Sequence, residues 1–127
     1  MKDLTQEESE RCAKAYGWTE DILTNGSIVW SPDGRVKDNS MFPSEIPYDF
    51  HFWLPKLWDK LESFVGKSID DVHLGAIRMM YPNCSGEYVV TIEGSAKMVD
   101  WDGYAAHGIS DHPCLAFCEA IEALEEK

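Results

Sequence analysis

The residues best suited to chemistry are two histidines and two cysteines that lie close together in the chain. His107, His112, Cys114 and Cys118 offer the imidazole and thiolate donors that zinc prefers. Cys114 and Cys118 stand four apart and share one face of a helix. That face is also the helix's apolar stripe, where cysteine behaves as a small buried hydrophobe. The spacing does not match a clean ligand pattern either, so neither a metal nor a cofactor is expected. Asp70-Asp71 and Asp100-Trp101-Asp102 bring carboxylates together, as acid–base work or a hard cation would need. Neither has the alternating spacing of a calcium loop, and both read as solvated turns. His51 and His73 have no nucleophile beside them in sequence, although a Cys–His pair formed in space stays open. There is no glycine-rich phosphate loop; Gly17, Gly26, Gly34 and Gly66 are scattered turn residues. No catalytic residue is assigned, and the chain is not expected to be an enzyme.

The aromatic residues are more informative. Tyr48, Phe50, Phe52, Trp53 and Trp58 crowd one segment that also holds Pro47 and Pro55. A single helix face cannot bury them all. Some must be exposed, packed against another element or held in an interface, and aromatics are favoured at interface hot spots and can stack on a nucleobase. Together with Asp100, Trp101 and Asp102 they form the candidate binding set. The alternative is that Trp18 and Trp30 cover them within the chain.

A net charge of −12, from 23 acids against 11 bases, excludes a basic footprint for nucleic acid. It favours a partner with a basic surface, or it serves solubility alone. Met1-Lys2-Asp3 leads into an acidic segment and not into a secretion signal. No run approaches the ~18 apolar residues of a membrane span. A cytoplasmic protein with free thiols at Cys12, Cys84, Cys114 and Cys118 is the expectation.

The elements that must position these residues follow from capping and periodicity. Thr5-Gln6-Glu7-Glu8 is a capping box, and the helix it opens stops at Gly17, giving a helix over 5–16. Asn25-Gly26 and Ser31-Pro32-Asp33-Gly34 are turn signals on either side of a short strand at Ile28-Val29-Trp30. A second helix is expected over 54–65. Pro55 is the reason to start it at Leu54 and to leave 49–53 as a turn. Three strands at about 73–81, 87–93 and 96–101, the last two joined by a turn at Gly94-Ser95, should form an antiparallel meander. A helix over 113–126, capped by Asp111 with Pro113 in its first turn, closes the chain. The fold class is α+β, a meander over about 73–101 packed with three amphipathic helices. The expectation is one domain over 1–127. Leu57, Leu61, Val90, Ile92, Phe117, Ile121 and Leu124 should be core.

Three short patterns recur in a familiar order. They are Ala13-Lys14-Ala15-Tyr16-Gly17-Trp18, Pro47-Tyr48-Asp49 before a helix with Trp58 and Leu61, and Asp111-His112-Pro113-Cys114-Leu115-Ala116-Phe117-Cys118. In this order the chain resembles the phage ABA sandwich domain family. Asp49-Phe50-His51 and His112 depart from that family's pattern. The resemblance implies helices packed on an antiparallel sheet and a bacteriophage origin, and it carries no activity. A phage accessory protein that acts by binding is therefore the leading expectation. It would inhibit a host defence protein, in the manner of an anti-CRISPR or another anti-defence protein, with its acidic surface in a nucleic-acid groove. The alternatives are sequestration of a small nucleotide in an aromatic-lined pocket, and a small hydrolase. Phosphates favour arginines, and the chain has only Arg11, Arg35 and Arg78. The expected partner is a host protein with a basic surface, without direct contact to nucleic acid or membrane. Pairing with a second copy stays open.

Overall fold

The structure, a computed structural model, describes residues 2–32, 40–69, 72–81, 85–96 and 104–126. The turn at Asp33-Gly34, the Asp70-Asp71 pair, Cys84 and the Asp100-Trp101-Asp102 cluster lie outside the described residues. The architecture is α+β, with three helices, two antiparallel sheets and a short 3-10 turn among the described residues. The chain forms two compact units, Met1–Trp53 and Leu54–Lys127. No described helix is long and apolar enough to cross a membrane.

In the first unit, α1 (Gln6–Tyr16) is held at both ends by its own sequence. Thr5 Oγ1 accepts from the Glu8 N–H at 3.2 Å, and Glu8 Oε1 accepts from the Thr5 N–H at 2.8 Å. Gly17 takes the left-handed conformation at φ 114° and donates to the carbonyls of Ala13 and Lys14. A side chain there would be strained, which is why the helix stops at glycine. Strands β1 (Thr19–Ile22) and β2 (Ile28–Ser31) form a hairpin, pairing Thr19 with Ser31 and Ile22 with Ile28. The Asn25-Gly26 signal marks its loop, which runs over five residues and not two. Gly26 donates to the Leu23 carbonyl, and the Ser27 N–H donates to Asn25 Oδ1. Trp30 is buried, and its indole N–H donates to Glu10 Oε1 at 3.1 Å.

Helix α2 spans Phe50–Glu62, one turn longer at its start than the sequence suggests, with Pro55 inside it. The missing Pro55 N–H removes the bond to the carbonyl four residues back, at His51. The first turn survives because it is fixed independently. Asp49 Oδ1 accepts from the His51 N–H at 2.9 Å, and Trp53 in that turn is fully buried.

In the second unit, β3 (Ser68–Ile69), β4 (Val72–Met80), β5 (Tyr88–Ala96) and β6 (Tyr104–Ser110) form one antiparallel sheet in chain order. The meander is present, but its expected last turn is absent. Gly94-Ser95 is not a turn: Gly94 pairs with Leu74 and Ser95 with His73, so β5 runs straight through. The strand that pairs with β5 on its far side is 104–110, with Tyr88 opposite Ser110 and Thr91 opposite His107, while 97–101 of the strand expected over 96–101 lie outside the described residues. Long β4 supplies the partners that carry β5 past Gly94, and pairing outweighs the local turn preference of glycine.

Helix α3 (Pro113–Glu125) packs on β5 and β6. Its cap is His112 and not Asp111: His112 Nδ1 accepts from the Cys114 N–H at 3.2 Å, with Pro113 next as expected. Phe117, Ile121, Leu57, Leu61, Val90, Ile92 and Leu124 are all buried. The ring of Trp58 meets Phe117 edge-on at 5.2 Å between centroids, joining α2 to α3 within this unit.

Candidate binding surface

The aromatic segment resolves into buried and exposed members. Trp53 is the correction to its reading as a surface anchor, because none of its surface is accessible. Its ring meets Trp18 at 5.1 Å, Phe52 at 4.9 Å and Tyr16 at 6.4 Å, all edge-on. Its indole N–H donates to the Pro47 carbonyl at 2.5 Å. An indole held on every side with its donor satisfied is a core residue. Phe52 and Trp58 are half-buried, Trp58 donating to Glu62 Oε1 at 2.5 Å. Tyr48 is 56% exposed and Phe50 half-buried.

Tyr48 stands out because its backbone is fixed on both sides. The Leu4 N–H donates to its carbonyl at 2.9 Å. Ile46, two residues before it, is 1% exposed and anchors the segment. A 3-10 turn, Pro43–Glu45, precedes Ile46, and the Asp49 cap follows. The segment is therefore irregular but ordered by its own bonds, and it points polar and aromatic groups outward. They surround a surface concavity of about 460 Å³, lined among others by Asp3, Glu45, Tyr48, Asp49, Phe50 and His51. Asp3, Glu45 and Asp49 are exposed, and the Phe50 and His51 rings lie 3.9 Å apart. Carboxylates beside aromatic faces suit a cationic group, which gains from both the charges and the ring quadrupole. Sequence reasoning found Tyr48 and Phe50 but missed Asp3 and Glu45, which reach the concavity only through the fold. The available signal was Glu45 and Asp49 on either side of Tyr48 in the sequence.

Within the second unit, the described histidines and cysteines are not gathered into one site. His107 is exposed on β6, whereas Cys114 and Cys118 are buried in α3, on the opposite face of the sheet. His112 is spent on the helix cap. His51 lies in the first unit, and His73 is exposed on β4. Among the described residues, no group of three or more His, Cys, Asp or Glu is placed to hold a metal ion. A second concavity, of about 420 Å³, lies on the face of the sheet away from α3. There Arg78 Nε meets Glu93 Oε1 at 2.9 Å, an exposed pair worth ~0–1 kcal/mol. Met80, Val89 and Ile109 form an apolar row beside it. No protein-family model matches this chain, and neither a curated protein nor a solved structure matches it.

Proposed function

We propose that this protein acts by binding rather than by catalysis, and that it offers the concavity around Tyr48 to a basic surface on a partner protein. One observation carries this reading: three exposed carboxylates, Asp3, Glu45 and Asp49, border an exposed aromatic ring held by a rigid segment. The net charge of −12 adds a long-range pull toward a cationic partner. A lysine or arginine side chain entering the concavity would lie between the carboxylates and the Tyr48 ring. The resemblance to small phage proteins suggests the setting: an inhibitor of a host defence protein, made in the host cell and occupying a groove that otherwise holds nucleic acid.

The test is a capture experiment from host lysate, run with the native chain and with an Asp3→Lys/Glu45→Lys variant. Both positions are exposed, so the variant keeps its fold. A basic protein retained by the native chain and lost by the variant supports the reading. A nucleotide that raises the melting temperature of the isolated chain, with no protein retained, would replace it with sequestration of a small molecule.

A further inference from the structure

We infer that the basic group held at the concavity around Tyr48 is an arginine guanidinium laid flat on the Tyr48 ring, and that a lysine ammonium in its place binds more weakly. This assignment rests on the binding reading above and names the side chain that the partner supplies.

Asp3 and Glu45 keep their charge uncompensated. Among the described residues, no ion pair or side-chain hydrogen bond reaches either carboxylate. Asp49 differs, because its Oδ1 accepts the His51 N–H at 2.9 Å and serves the first turn of α2. The pull on a cation therefore comes mainly from Asp3 and Glu45. These acids lie far apart in the chain and meet only as walls of the concavity. They do not gather at one point: among the described residues, no three of His, Cys, Asp or Glu are placed to close on a single ion. A compact charge, whether a metal ion or an ammonium, wants its acceptors gathered around one atom. Here the acceptors are spread.

A guanidinium fits such a spread. Its N–H donors lie in one plane and point outward, so separate carboxylates can each take one. Its two faces carry no donors and stack on aromatic rings. The concavity supplies rings. Tyr48 is 56% exposed, and Phe50 and His51 line the same concavity with their rings 3.9 Å apart and 37° from parallel. The Tyr48 backbone is already tied down, by the Leu4 N–H at 2.9 Å and by buried Ile46 two residues before it, so little ordering remains to be done on binding. Water favours the same choice. The concavity lies at the surface, and a strongly hydrated ammonium gives up more hydration on entering it than a guanidinium does. A volume of about 460 Å³ leaves room for a guanidinium lying flat.

The experiment titrates the full chain with two short capped peptides of equal length and charge, one with arginine and one with lysine at every basic position. Binding is read from the backbone resonances of 44–51. The expected result is roughly three- to five-fold tighter binding of the arginine peptide. Tyr48→Phe should keep that preference, and Tyr48→Ala should abolish it, leaving both peptides equally weak. The Tyr48 ring is exposed, so neither change threatens the fold. Equal affinity for the two peptides on the native chain, or tighter binding of lysine, overturns the assignment and leaves the binding reading standing. A preference for arginine that survives Tyr48→Ala also overturns it, because the guanidinium then stacks elsewhere. Resonances of 44–51 that move with neither peptide overturn the binding reading itself, and the assignment falls with it.

Discussion

Gly108 on β6 and Ala116 on α3 share one volume: a Cβ on the glycine would collide with the alanine's carbonyl oxygen. That oxygen belongs to the helix backbone, so it cannot swing aside as a side chain would. Gly108→Ala should therefore force α3 away from the sheet and cost about 1–3 kcal/mol, read from the urea midpoint. Gly75 on β4 is the control. A Cβ there meets nothing nearer than the Glu93 carbonyl oxygen at 3.8 Å, so Gly75→Ala should change stability by less than ~0.5 kcal/mol. Equal midpoints for the two variants would mean that the helix is not held this closely.

Trp53 and Tyr48, five residues apart, should behave in opposite ways. Trp53→Ala removes a fully buried indole and leaves the Pro47 carbonyl without its donor. A loss of about 3–5 kcal/mol is expected in chemical denaturation. Tyr48→Ala removes an exposed ring and should change stability by less than ~0.5 kcal/mol. A near-native midpoint for Trp53→Ala would place the indole outside the core.

Most of the helical fold was legible in the sequence because caps and stripes are local. The Thr5–Glu8 box, Gly17 and the Phe117-Ile121-Leu124 stripe each needed only their near neighbours. The failures share the opposite property. Gly94-Ser95 has local turn chemistry, but β4 offers it partners twenty residues away in sequence. Strand β6 is rich in alanine and glycine, weak strand formers, and Gly108 is where α3 approaches closely. Asp111 looks like the better cap, yet the chain turns one residue later and gives the role to His112. At the candidate surface, Tyr48 and Phe50 were visible as neighbours in the sequence. Asp3 joins them only because the N-terminal segment bonds back to Tyr48 through Leu4.

The cap at α3 gives a third prediction. His112 Nδ1 accepts the Cys114 N–H, so its ring proton sits on Nε2 in this arrangement. His112→Ala removes the acceptor and should cost about 1 kcal/mol from the cap alone, plus the loss of a buried ring. Asp111→Ala should have little effect, since among the described residues the Asp111 carboxylate meets only the Ser110 hydroxyl, at 3.4 Å. Thermal melts of both variants check this, and a larger loss at Asp111 would return the cap to that residue.

The concavity around Tyr48 gives the last prediction, and a lysine-rich peptide is a sufficient probe. If the exposed carboxylates attract cations, the peptide should shift the backbone resonances of Tyr48 and Asp49 at low salt. The shifts should fade as salt rises, because exposed charges are screened within ~10 Å at 0.1 M. Asp3→Lys/Glu45→Lys should act chiefly by slowing association, since remote charge steers the encounter. Tyr48→Ala should act chiefly by speeding release, since a ring in contact holds the complex once formed. General attraction to a −12 chain would look different. It would shift acidic residues across both units alike, and Tyr48→Ala would leave the release rate untouched. Only resonance changes centred on 44–51, with the two variants dividing between association and release, identify the concavity as the place where a basic partner is held.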